Sequence, residues 1–432
     1  MHIVNIIGAG LAGCEAALWL SSKGIKVNLF EQKPIKKSPA HKCNTFAELV
    51  CSNSLKADRP DSASGILKLE MELLGSNILP IAKSVRVAAG GALAVDRDKF
   101  TNLITEKIKA DANITVIEKE VTELNFVEPT IIATGPLTEG KLAEEISKLT
   151  GSERLYFYDA AAPIILADSI DKNEVFAQSR YDKGGNDYLN CPFNKEEYEE
   201  FYKELVNAQS ADLHNIDGLT VYEGCMPIEV MAKRGADTMR YGPLRPVGLV
   251  NPKTNHRPWA NIQLRQEDEN ATMYNIVGFQ TNLKFGEQKR VFSMIKGLKN
   301  AEFVRYGVMH RNTFINSPLL LNKTLNLKNN PNIYFAGQIT GFEGYMESAM
   351  SGLLSARFLY ENITNCKKLD IPNTTMCGSL LNYITTPNKD FQPMGANIGI
   401  IPPLEEKIRD KRLRYSMVSD RAILDLRNAL NN

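Results

Sequence analysis

No apolar stretch in this 432-residue chain approaches the ~20 residues that a helical membrane span requires, so no such span is expected. Cysteine is sparse and unpatterned. The seven (Cys14, Cys43, Cys51, Cys191, Cys225, Cys366 and Cys377) are odd in number and form no CxxC pair, which argues against a disulfide framework or a zinc site. With no leader-like segment before the first apolar run, a reducing cytoplasm is the expected location. Charge of one sign is not in excess either: the net charge is +1, so the overall balance announces neither DNA nor RNA as a partner. Internal repeats and low-complexity tracts are missing as well. What remains is an ordinary globular composition, 43% hydrophobic, long enough for two or three domains.

Against that plain background one segment stands out. Residues 4–33 read VNIIGAGLAGCEAALWLSSKGIKVNLFEQK, an apolar run, a glycine-rich turn, a helix-forming stretch, a second apolar run and an acid. The order predicts a strand at Val4–Ile7, a helix, and a strand at Lys26–Phe30 closed by Glu31. Gly8 supplies the tight turn, Gly10 lets the backbone approach a pyrophosphate, and Gly13 lets helix and strand pack closely, with Leu11 and Ala12 between them. Unpaired N–H groups at the helix start face the phosphates. Glu31, followed by Gln32 and Lys33, lies where a carboxylate takes ribose hydroxyls and repels a 2′-phosphate, so the expected nucleotide is FAD or NAD.

The early position of the unit favours FAD, with the site completed later in the chain. Two segments fit that completion. PTIIATG (129–135) ends in Ala133, Thr134 and Gly135, and NIYFAGQ (332–338) ends in Gly337 and Gln338, before Gly344 and Tyr345 open another helix-like stretch. Nearly two hundred residues separate these strands, so a second domain is expected between them. The expectation is an α/β protein: a doubly wound, Rossmann-like, glutathione-reductase-type FAD-binding domain from 1–150 and 328–432, with an inserted α+β domain at 151–327. Insert strands are expected at Arg154–Tyr158, Ile262–Leu264 and Tyr274–Gly278, and a helix at Lys195–Leu205. The proline-bearing tail after Cys366 is expected to wrap loosely before a helix starting at Leu404, which would carry Lys407, Lys411, Arg414 and Arg421 on one face. No second GxGxxG occurs, so NAD(P)H is expected to visit the flavin transiently.

Two cysteines differ from the others in setting. Cys51 (FAELVCSNSLK) and Cys225 (YEGCMPIEVMAKRG) each sit where an apolar run breaks into small polar residues, and Cys225 precedes a helix led by Pro227. A helix N-terminus raises the thiolate fraction available for attack. The remaining five read as small buried hydrophobes.

The segments GAGLAG, FAELVCSNSLK, AAGGALAVDRD, YEGCMPIEVMAKRG, GPLRPVGL, VGFQTNLKFGEQKR, VRYGVMHRNTFINSP and FAGQITGFEGYMESAMSGLL together resemble the folate- and FAD-dependent RNA uracil-5-methyltransferases, over residues 1 to about 425. The resemblance implies tightly bound FAD, methylenetetrahydrofolate as carbon donor and NADPH or NADH as reductant. It also implies a uridine target, in the T-loop of tRNA or, for a smaller branch, in 23S rRNA. Carried onto this chain, Cys225 matches the thiol that attacks uracil, and Cys51 the second cysteine, which guards or resolves the methylene held at the flavin. Arg240, Arg245, Lys284, Arg290, Lys411 and Arg414 are the candidate RNA contacts. Departures occur at Lys42-Cys43-Asn44 after His41, at Arg245 where lysine is common, in DKGGNDYLN (182–190), and at Gly395–Ile398. They bear on folate contacts and leave both RNA targets open. The rival readings are a related FAD-dependent protein modifying the tRNA wobble uridine, which is longer and lacks GCMPIEVMAKRG, a flavin dehydrogenase of a small metabolite, and an RNA-binding flavoprotein without turnover.

Overall fold

The computed structural model describes residues 2–38, 40–151, 155–182, 185–211 and 226–431. Its organising element is a five-stranded parallel sheet in the order Ile333–Phe335, Thr130–Ile132, Ile3–Ile7, Lys26–Glu31, Ile114–Glu118. The three strands Ile3–Ile7, Thr130–Ile132 and Ile333–Phe335 are short, mostly buried apolar runs, as expected inside a parallel sheet, while Lys26–Glu31 alternates and Ile114–Glu118 lies half exposed at the edge. The helix Leu11–Ser22 leaves the first strand through the glycine turn and crosses the long helix Tyr345–Thr364 at very close range: a Cβ on Gly352 would lie 2.1 Å from Ala12 O. Glycine at that crossing allows the two backbones to touch. This is the doubly wound dinucleotide-binding architecture.

A six-stranded antiparallel sheet forms the second body, in the order Phe176–Ala177, Tyr188–Phe193, Ala260–Gln266, Met273–Ile276, Ile164–Leu166, Phe303–Arg305. Helix Lys195–Asn207 packs on it, held at its start by a capping box between Asn194 and Glu197. Its core is separate, drawing on residues from Ile165 to Ala301. We propose 151–327 as the inserted unit; the separate core supports this, although Phe157 and Phe314, from the ribbon Leu155–Ala160 paired with Met309–Phe314, pack into the first core. Arg154, expected to start a strand, lies outside the described residues.

Two expectations about the tail are corrected. It is not loosely wrapped, because helix Met376–Thr385 buries Met376, Cys377 and Leu380 in the main core. The Glu70 carboxylate accepts both the Met376 and Cys377 N–H at 2.7 Å, and Gly378 packs so closely on Pro372 O that a Cβ would lie 2.0 Å away. The closing helix is Lys411–Asn431 rather than one starting at Leu404. Asp410 accepts the Leu413 N–H at 2.6 Å and caps it, so Lys407 precedes the helix and does not share a face with Lys411, Arg414 and Arg421.

Candidate functional site

The glycine turn builds one end of a cleft. Gly8 has φ +102°, and a Cβ there would meet Ala133 O at 2.6 Å. At Gly13 a Cβ would lie 1.9 Å from Gly8 O, which locks the helix start onto the strand end. Gly10 differs: it occupies the N-cap of helix Leu11–Ser22 with no side-chain cap, and a Cβ would meet nothing within 4 Å. The helix therefore presents uncapped N–H groups to open space, the arrangement that binds a phosphate.

Opposite this turn, Glu31 is buried and holds the loop ends together. Its Oε2 accepts the Ala9 N–H and its Oε1 the Lys33 N–H, each at 2.9 Å. A carboxylate offers about four lone-pair directions, so each oxygen keeps one for a ribose hydroxyl. Lys33 lines the cleft, and its ammonium ties the wall, donating to Thr45 O at 2.5 Å and lying 3.8 Å from Glu48. The far wall carries Ala133, Thr134 and Gly135, where the Thr138 hydroxyl donates to Gly135 O at 2.8 Å and lies 2.7 Å from Thr134 Oγ1. Gly337, at φ +84°, donates its N–H to Ser351 Oγ at 2.7 Å, and Gln338 donates to Glu343 Oε2 at 3.0 Å. Together these elements enclose a cleft with about 1250 Å³ of empty space, part of it open to solvent. Leu11, Ala12, Gln32 and Tyr345 also line it; Gly13 and Gly344 do not, each acting through close packing instead. At Gly344 a Cβ would lie 2.6 Å from Lys56 Nζ, which is paired with Glu347 at 2.7 Å.

Cys51 stands beside Tyr345. Its N–H donates to the Tyr345 hydroxyl at 2.8 Å, and its half-buried Sγ lies 3.9 Å from Ala160 O. The turn carrying it is clamped by three guanidinium groups from distant elements. Arg97 donates to Leu49 O and, at 3.2 Å, to Cys51 O while pairing with buried Glu267 at 2.7 Å; Arg305 donates to Val50 O; Arg265 donates to Ser52 Oγ at 2.7 Å and Asn53 Oδ1 at 3.0 Å. Burial pushes the Cys51 thiol up to about 12, with Asp159 adding to the rise and Arg305 and Arg97 opposing it. Burial also raises Glu343 to about 8, reinforced by Asp159, and lowers His310 to about 4, reinforced by Arg305 and His41. The His310 Nε2 is buried without a hydrogen-bond partner among the described residues. Cys225 lies outside the described residues; the helix after it, Ile228–Lys233, opens at Pro227.

The uniform reading of the other five cysteines is corrected. Cys14, Cys191 and Cys377 are buried, but Cys43 is half-buried and Cys366 is exposed. The candidate RNA cations separate into two kinds. Arg240 stacks 3.7 Å from the Trp259 ring and bonds Asp237, and Arg290 is tied to Glu287 and Glu204, so both are engaged within the protein. Arg245, Lys284, Lys411 and Arg414 are exposed. Lys411 joins Lys56, Arg59, Arg412 and Tyr415 around an open groove, far in the chain from the insert cations.

Comparison with known proteins now bears on this site. A family model described as "Glucose inhibited division protein A" matches residues 3–367. The methylenetetrahydrofolate–tRNA-(uracil-5-)-methyltransferase TrmFO of Fusobacterium nucleatum is 55% identical over 427 residues, 99% of this chain and 98% of the relative. That of Acetivibrio thermocellus is 56% identical over 421 residues, covering 97% of each. The chain belongs to this methyltransferase family. In fold, it resembles the GidA protein of Aquifex aeolicus, with a TM-score of 0.70 at 15% identity, over 99% of this chain and 73% of that one. Within this member of the methyltransferase family, the residues that sequence reading missed are the guanidinium clamp, Arg97, Arg265 and Arg305, and their partner Glu267. Arg97 and Arg305 lie in segments that carry the resemblance (AAGGALAVDRD and VRYGVMHRNTFINSP), which was the available signal.

Proposed function

We propose that this chain methylates C5 of a uridine in structured RNA, with methylenetetrahydrofolate as carbon donor, FAD in the cleft and NADPH or NADH as reductant. The observation that carries the reading is full-length identity above half to enzymes named for this reaction, combined with a cleft whose glycines leave room for a dinucleotide. FAD fits these residues: uncapped N–H groups and open space at Gly10 suit the pyrophosphate, and Glu31 has lone pairs left for the adenosine ribose. When bound, FAD supplies the hydride that takes a methylene-level carbon to a methyl group.

The chain's own residues do the rest. C5 of uracil is a weak nucleophile, and addition of the Cys225 thiolate to C6 makes it an enolate carbon able to attack the one-carbon unit. Loss of the C5 proton then releases the carrier nitrogen as an exocyclic methylene forms at C5, and the thiolate leaves C6 as that methylene is reduced to methyl. Cys51, whose backbone is bonded to Tyr345 and Arg97, guards the carbon in transit in this reading. Burial pushes its thiol up to about 12, which suits a guarding role better than a first attack.

The names of the relatives favour tRNA, and a 23S rRNA uridine is the second reading, supported by the departures at residues 42–44 and 395–398. Mass spectrometry of both RNAs from cells lacking the protein tests this. Loss of 5-methyluridine from tRNA supports the first reading and loss from 23S rRNA the second. Unchanged methyluridine in both refutes the assignment.

A further inference from the structure

Three aromatic rings form a ladder on the surface of the insert. Phe303 and Tyr306 stack with centroids 4.9 Å apart and planes within 7°, and Tyr306 and Phe285 stack at 4.8 Å and 16°. Phe303 packs against the insert core, while Phe285, the terminal ring and the first residue of helix Phe285–Phe292, is 55% exposed. An isolated exposed apolar side chain is unremarkable, but this one is held flat by a stack anchored in the core. Its surroundings are cationic and open. Lys284 and Lys289 are exposed, and a Cβ on Gly286 would meet nothing within 4 Å.

The ladder also lies where the chain enters and leaves the stretch holding Cys225. The Ala211 N–H donates to Asn282 O and the Ile228 N–H to Gln280 O, each at 2.7 Å, and the Lys284 N–H donates to Gln209 O at 3.0 Å. Buried Glu229 fixes the same loop, accepting from Thr281 Oγ1 at 2.9 Å and Asn282 N–H at 2.8 Å. Ala211 and Ile228, the one before and the other beyond residues 212–225, are thus both bonded to the loop that ends in Phe285.

We propose that Phe285 is the stacking platform for an unpaired base of the RNA substrate. Addition of a thiolate to C6 requires the target uridine to leave its stack, and the bases beside it then lack a partner. A flat, pre-positioned ring replaces that partner without reading sequence, and neighbouring lysines suit the phosphates. Phe285 is a positioning residue, and the inference rests on the RNA-methylation reading.

The test uses the FAD-loaded enzyme with an unmodified tRNA transcript. Phe285→Ala should raise Kd and KM for the RNA by about tenfold, the size of one lost base stack, with kcat at saturating RNA, FAD content, melting temperature and RNA-independent NADPH oxidation unchanged. Phe285→Trp should restore binding. The slope of log Kd against log salt should not change, because no phosphate contact is removed. Wild-type Kd and KM in Phe285→Ala, failure of Phe285→Trp to restore them, or a flattened salt slope would each overturn the proposal. A wild-type enzyme that binds the transcript but makes no methyluridine would remove the reaction reading, and the Kd comparison would still decide the stacking role.

Discussion

Gly10 and Gly13 lie three residues apart in one turn, yet they fail in opposite ways when substituted. At Gly13 a Cβ would sit 1.9 Å from Gly8 O, whereas real Cβ atoms essentially never come within 3.0 Å, so strand end and helix start must part by about 1 Å. Overpacking against backbone costs about 3 kcal/mol or more. Gly13→Ala should therefore melt several degrees lower even without cofactor. Gly10 has φ −74° and ψ −174°, a conformation open to any L residue, and space beyond its Cα. Gly10→Asp places a carboxylate at an N-cap that lacks one, which stabilises a helix by roughly a few tenths of a kcal/mol. The same carboxylate fills the space and opposes the charge of the pyrophosphate. The expected outcome is a colourless Gly10→Asp protein whose cofactor-free form melts at or above the cofactor-free wild type. Calorimetry of stripped proteins and flavin absorbance of freshly purified ones measure both effects. Full FAD content in Gly10→Asp, or a wild-type melting temperature in Gly13→Ala, would refute the reasoning.

Four further outcomes are expected. Cys225→Ala should keep FAD and oxidise NADPH but neither methylate RNA nor form a covalent trap with 5-fluorouridine RNA, whereas Cys51→Ala should lose most turnover and still trap; peptide mapping of the adduct checks this. Alkylation by iodoacetamide near neutral pH should mark exposed Cys366 before Cys51, because burial keeps Cys51 protonated, and the Cys51 rate should climb with pH as its thiolate fraction grows towards about 12. Arg97→Met should destabilise the protein by about 3 kcal/mol by stranding buried Glu267, and Arg97→Met with Glu267→Gln should recover much of the loss in a denaturation cycle. Charge reversal at exposed Lys411 and Arg414 should weaken RNA binding and flatten its salt slope by roughly 2 units, while Arg240→Ala and Arg290→Ala, which break internal contacts, should leave the slope unchanged.

The cleft was legible because a turn that brings Gly8 O within 1.9 Å of a Cβ position tolerates only glycine, and such constraints are written locally. The strands around it were legible as the apolar runs at 3–7, 26–31, 130–132 and 333–335, whereas their order appears only in the folded sheet. The clamp on Cys51 was not legible, because Arg97, Arg265 and Arg305 come from three elements and meet only in the folded chain. The same holds for helix Met376–Thr385, whose first N–H groups are satisfied by Glu70, 306 residues earlier. Counting cations could not show that Arg240 and Arg290 have tertiary partners, Trp259 and Glu204. At the closing helix the heptad-like spacing of lysine and arginine ran through Asp410, where a cap decides the start.

The central claim is a one-carbon transfer from folate to a uridine. Purified protein, FAD, NADPH, methylenetetrahydrofolate isotope-labelled in its methylene carbon and an unmodified tRNA transcript should yield 5-methyluridine whose methyl carbon carries the label, with no product when folate is omitted. Absence of methyluridine with both tRNA and 23S rRNA transcripts, or a methyl group without the label, would contradict the account.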